Sequence, residues 1–169
     1  MSKLEAKDLE EIYIHTKNID KIFEKKYDIR SKEIIHKYIL ELLVELSELA
    51  NETRCFKFWS SKSSSSKHIV LEEYTDCLFM IMYFCNITNI ELNEDFDDVK
   101  YDDIISCFID LYRKTCILEE KLDKEIVKQL LVRILYLGDF LDFDINDLKK
   151  GTLIKEEKIQ RRFEAKDYL

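Results

Sequence analysis

The sequence predicts an all-α fold, a helical bundle of about five to seven helices forming one domain over residues 1–169. Three observations carry that expectation. The chain has no proline and only two glycines, Gly138 and Gly151, too little turn punctuation for a many-stranded sandwich or barrel. Apolar residues recur every three or four positions through most of its length. Hydrophobic residues make up 46% and aromatic residues 12%, which excludes a disordered chain. A chain of 169 residues buries roughly 70% of the surface its unfolded form exposes, enough for a single core.

The elements follow in order. Residues 4–27 place Leu9, Ile12, Tyr13, Ile19, Ile22 and Phe23 near helical spacing. Ser31 is a suitable N-cap for a second helix, whose apolar stripe runs from Ile34 through Tyr38, Leu42 and Leu46 to Ala50. Its other side carries Glu41, Glu45, Glu48 and Glu52, at steps of four, three and four. Residues 53–67 break the period: Phe56, Phe58 and Trp59 stand in a polar loop that contains SSKSSSSK. That loop reads either as a mobile connection or as a lid over a ligand. A third helix over about 67–88 shows Ile69, Val70, Tyr74, Cys77, Leu78, Ile81 and Met82, interrupted by Glu73 and Asp76. The acidic segment 91–103 lacks EF-hand spacing and reads as a solvated connection. Two further helices are expected over roughly 100–120 and 123–142, then a short piece near 144–150 that stops at Gly151, with Thr152 able to cap the segment after it. The tail is basic in its middle and aromatic at its end.

Charge and cysteine content narrow the function classes. The net charge is −8, so the chain gains no counterion-release affinity for nucleic acid, and a polyanionic ligand needs a divalent cation as a bridge. No apolar run reaches membrane-spanning length, and MSKLEAKDLEE does not read as a signal peptide. The five cysteines are odd in number and show no CxxC spacing. Most sit within apolar runs, where cysteine acts as a small hydrophobe. The expectation is a cytoplasmic protein with no membrane or nucleic-acid partner, no structural disulfide and no zinc.

The chemistry concentrates in Glu41–Asp76, where two helices each carry a pair of acids three residues apart, Glu45 with Glu48 and Glu73 with Asp76. Residues i and i+3 share a helix face, so two such helices packed together gather four carboxylates. A solvated acidic face is the bland alternative. Against it, no Lys or Arg is interleaved from Glu41 to Glu52, and the second pair follows after one short loop. Four carboxylates repel one another unless cations sit among them, and such hard oxygen donors suit Mg2+ or Mn2+.

The runs ELSELANETRCFKFWS and LEEYTD together resemble the dimeric dUTPase family, a branch of the all-α nucleoside triphosphate pyrophosphatases. That family carries ExxE, a spacer, then ExxD. Here 24 residues separate Glu48 from Glu73, and the close match covers about 35 residues. The resemblance implies a homodimeric, Mg2+-dependent diphosphatase that converts dUTP, and dUDP, to dUMP. It implies that Glu45, Glu48, Glu73 and Asp76 bind metal and that a carboxylate among them, Glu48 or else Glu45, activates water. Trp59, Lys57, Asn51 and Lys62 match the family's substrate-binding run. His15, Asn18 and Asp20 are candidates for reading the base from the first helix, although the family's usual Gln is not in place. Lys155, Arg162 and Tyr168 are candidates for the C-terminal clamp. There the match departs: Ile159 or Gln160 stands where the family has Asn, and Asp167 where it has Gly.

Two other readings compete. One is a related pyrophosphatase of dCTPase or MazG type with a different nucleotide preference. The other is a non-catalytic helical interaction protein whose acids, tail and loop aromatics are ordinary surface and packing.

Overall fold

The computed structural model describes residues 4–165, and among them the regular structure is helical, with no strand. A 3-10 turn at Ala6–Leu9 leads into α1 (Glu10–Glu24). Then come α2 (Lys32–Thr53), α3 (Lys67–Ile87), α4 (Ile104–Glu120), α5 (Lys124–Phe140) and α6 (Ile145–Glu164). The all-α bundle expected from the sequence is present. Among the described residues no helix is long and apolar enough to cross a membrane.

The centre of the bundle is α3, which packs against α1, α2, α5 and α6. From Val70 to Ile87 it buries residues on every side, including Tyr74, Leu78, Ile81, Met82, Phe84 and Cys85. A helix that is apolar all round belongs in the middle of its bundle. The other helices bury one face each. α2 sets Ile39, Leu42, Leu46 and Leu49 inward, and α5 sets Leu130, Leu131, Ile134 and Leu135 inward. Truncating any of these to Ala costs about 2–5 kcal/mol.

Side chains start the helices. Ser31 Oγ accepts from Ile34 N at 3.4 Å, Asp103 Oδ1 from Ser106 N at 2.8 Å and Asp123 Oδ1 from Glu125 N at 2.8 Å. Asp144 forms a capping box with Asp147. Helix ends are made without glycine: Arg54, Asn89 and Asp142 take left-handed φ of 58°, 54° and 53° just past α2, α3 and α5.

One boundary differs from the sequence expectation. The chain does not stop at Gly151; α6 runs through it to Glu164, and Thr152 is a buried interior residue rather than a cap. The glycine serves close approach instead of termination. A Cβ at Gly151 would lie 2.3 Å from Thr75 Oγ1, so the bare backbone lets α6 settle on α3. Gly138 does the same for α5, where a Cβ would lie 2.7 Å from Tyr74 Oη. Seated this way, α6 also packs on α1, joined by a 2.6 Å contact between His15 Nδ1 and Glu156 Oε2 and by an apolar cluster of Ile19, Phe79 and Ile159.

Candidate active site

The α2–α3 hairpin brings the expected acids together. As the helices run antiparallel, the C-terminal half of α2 faces the N-terminal half of α3 beside their connecting loop. Oxygens of Glu45, Glu73 and Asp76 all lie within 4.8 Å of one another. Glu48 lines the same cavity just outside this trio, near enough for its charge to act on Glu45 and Glu73.

The cavity has a volume of about 620 Å3 and is walled by α1, α2, α3, α6 and the turn after α1. That falls within the range of roughly 300–1,000 Å3 found for small-molecule sites. Its two ends differ in chemistry. At one end stand Glu41, Glu45, Glu48, Glu72, Glu73 and Asp76, with Lys155 paired to Asp76 and Lys158 to Glu72 from α6, and Arg162 of α6 also lines the cavity. At the other stand Phe23, Tyr27, Ile29, Ile34, Tyr38, Phe79, Met80 and Tyr83. The Tyr38 and Tyr83 rings lie 3.9 Å apart between centroids, and the Tyr83 hydroxyl donates to the Ile29 carbonyl. One carboxylate interrupts the apolar end: Asp20, 6% exposed, accepts from Asn86 Nδ2 at 2.6 Å.

The electrostatics of the acid cluster are unresolved within the protein itself. Glu45 is pushed up to about 7 by burial first and by the Asp76 charge second. Glu73 is pushed up to about 7 by burial and by the Glu48 and Asp76 charges. Asp76 is raised by burial against the opposing pull of Lys155, whose Nζ lies 2.8 Å from Asp76 Oδ2. Glu45 Oε2 and Asp76 Oδ1 are both buried and accept no hydrogen bond. Buried polar atoms are nearly always satisfied, so two orphans in one carboxylate cluster mark a place for a cation. The donors are all hard carboxylate oxygens, the set that Mg2+ and Mn2+ take. The residues present fit a divalent metal. Asp20, alone at the apolar end, is pushed up to about 6 chiefly by burial, with the Asn86 hydrogen bond opposing.

The remaining sequence candidates divide. Lys155 and Arg162 line the cavity, whereas Tyr168 lies outside the described residues. Trp59, Lys57, Asn51 and Lys62 do not line it. Phe58 is 93% exposed and Trp59 66% exposed on the α2–α3 loop, with their rings 5.1 Å apart, and Lys57 Nζ turns back to Asn51 Oδ1. The loop is held to α2: Arg54 Nη2 donates to Ser60 Oγ at 2.6 Å, and Ser65 N donates to the Glu52 carbonyl at 3.0 Å. His15 and Asn18 also lie off the cavity, because α1 turns Thr16, Ile19, Asp20 and Phe23 inward. Sequence reasoning missed Glu72 and Lys158, which pair across α3 and α6. Glu72 stands four residues before Asp76, and that spacing was the available signal.

A family model described as dUTPase matches residues 8–168. No individual characterised protein and no solved structure matches the chain. The match spans nearly the whole sequence, so the chain belongs to this family of all-α dUTPases, whose activity is that of a dUTP diphosphatase and which generally depends on a divalent metal.

Proposed function

We propose that this member of the dUTPase family hydrolyses dUTP, and dUDP, to dUMP with Mg2+ held at Glu45, Glu73 and Asp76, Glu48 completing the acid set. The observation that carries this reading is the pair of unsatisfied buried oxygens, Glu45 Oε2 and Asp76 Oδ1, inside a wall of carboxylates. A divalent ion there would neutralise phosphate charge and make a nearby water more acidic.

The chain's own groups supply the rest. Lys155 and Lys158 stand beside the acids, Arg162 lines the same cavity, and the three offer donors to the phosphate chain. The apolar end, with Phe79, Met80, Tyr38 and Tyr83, excludes water from the nucleoside. Asp20, held by Asn86, faces the base and accepts from its N3–H. Glu48 takes the proton of the attacking water, because it borders the trio without belonging to it. The products are dUMP and pyrophosphate from dUTP, or dUMP and phosphate from dUDP, with one water consumed in each case.

The active form is a homodimer. Exposed apolar residues stand on two helices that pack together: Leu40 and Val44 on α2, and Ile105 and Ile109 on α4. The hydrogen-bonded pair Ser47–Tyr112, at 2.7 Å, joins the two helices that carry this apolar patch. A second copy covering this patch removes it from water. Light scattering on a sizing column checks this, with about twice the mass of 20.4 kDa expected.

A nucleotide panel followed by 31P NMR tests the activity. dUTP and dUDP are turned over in Mg2+ and not in EDTA. Equal turnover of dCTP would overturn the uracil preference, since a carboxylate such as Asp20 also suits the N4 amine of cytosine. No turnover of any nucleotide would overturn the enzyme reading.

A further inference from the structure

Lys155 occupies a position that its backbone fixes. It lies one helical turn beyond Gly151, whose contact with Thr75 seats α6 directly on α3. That register delivers Nζ to 2.8 Å from Asp76 Oδ2, with the Lys155 side chain only 22% exposed. On the same carboxylate, Oδ1 is buried and has no hydrogen-bond partner. The ammonium is thus the cation that the acid trio meets in the absence of any other. Its field opposes the crowding at Glu41 and Glu45 as well as at Asp76. Lys158, three residues further along α6, pairs instead with Glu72, which is not part of the trio, and acts on Asp76 only as a weaker charge.

We propose that Lys155 is a built-in counter-ion that competes with the divalent metal for Asp76, so that metal binding requires Lys155 to leave Asp76 and frees its ammonium for the substrate's phosphate chain. The proposal rests on reading the acid cluster as a metal site. It assigns Lys155 opposite effects on the two ligands: the residue weakens the metal and strengthens the phosphate chain. Because the ammonium cannot serve both partners at once, removing its charge tightens metal binding even though it harms catalysis. A lysine that only contacted phosphate would leave the metal affinity of the nucleotide-free protein unchanged.

Isothermal titration of the nucleotide-free protein with Mn2+ at pH 8 separates these outcomes. K155M binds Mn2+ roughly tenfold more tightly than the wild type, the scale of losing one half-buried ion pair as competitor. K155R, which keeps the charge, stays near the wild-type affinity, and K158M, whose ammonium pairs with Glu72, changes it by much less than K155M. Far-UV circular dichroism checks that each variant is folded, and K155Q serves if K155M is not. In metal-free buffer K155M also melts at a lower temperature than the wild type, since its acids have lost their counter-ion, and it gains more on adding Mn2+. Mn2+ binding to K155M that is equal to or weaker than the wild type overturns the counter-ion role while leaving the metal site intact. No Mn2+ binding to any form overturns the metal site and the counter-ion role together.

Discussion

Two half-buried acidic centres in this protein stand in opposite electrostatic states. On α4, Asp110 accepts from Arg133 Nε at 2.5 Å and from Tyr101 OH at 2.7 Å, with Arg113 Nη1 at 3.4 Å. Burial works to raise its carboxyl, but the hydrogen bonds from Tyr101 and Arg133 outweigh it and hold Asp110 below the usual range. Between α2 and α3, Glu45, Glu73 and Asp76 are all pushed upward, Lys155 is paired to Asp76, and two of their oxygens keep no partner. The first centre is complete as it stands and ties α4 to α5. The second is incomplete, and incompleteness among charged groups marks a binding site. Acidity does not distinguish the two; satisfaction does.

The largest effect that sharpens this contrast is on turnover. E48Q and D76N each lower dUTP hydrolysis by roughly 10^3-fold, the scale of losing a base or a metal ligand, with an unchanged far-UV spectrum. Next is D110A, which removes the satisfied acid and strands Arg133. It costs roughly 3 kcal/mol in urea unfolding, while turnover per folded molecule stays at the wild-type level. If D110A instead abolished turnover in folded protein, the division between the two centres would fail.

G151A comes third, because its Cβ must displace Thr75 and lift α6 from α3. About 1–3 kcal/mol of stability is lost, and KM for dUTP rises as Lys155 and Arg162 move away. Wild-type stability and KM would show that α6 does not need this close approach.

The smallest effect is one of pH. Glu45 and Glu73 titrate at about 7 in the folded chain, against an ordinary 4.5. Between those values the folded state binds more protons than the unfolded state, so metal-free stability falls as pH rises from 4.5 to 7. The contribution is fully present below 4.5 and gone above 7. The metal-free melting temperature therefore drops by a few degrees from pH 5 to pH 8. E45Q flattens that slope, and Mg2+ stabilises more at pH 8 than at pH 6. A melting temperature that rises over the same interval would contradict the crowding of these acids.

Geometry explains how much of this was legible in the sequence. The acid pairs were legible because i,i+3 spacing fixes which side chains share a face, and α2 and α3 are joined by one short loop. The N-cap at Ser31 was legible from its chemistry. The first helix shows where reading stopped. His15, Asn18 and Asp20 all looked suitable, but each residue turns the helix by about 100°. Only Asp20 shares the phase of Tyr13 and Phe23, and that register was present in the pattern. Gly151 misled because glycine both ends helices and admits close neighbours; only the position of Thr75, 76 residues earlier in the chain, decides between them. The loop aromatics were unreadable for another reason. The family run shows which residues stand there but not which way they point, and in the single chain Phe58 and Trp59 face outward.

The most direct measurement is an anomalous difference map from a crystal soaked in Mn2+. A peak bounded by Glu45, Glu73 and Asp76, with Lys155 withdrawn from Asp76, is the expected result. Fully occupied Mn2+ elsewhere on the protein, with no peak at these three carboxylates, would contradict the assignment of this cluster as the metal centre.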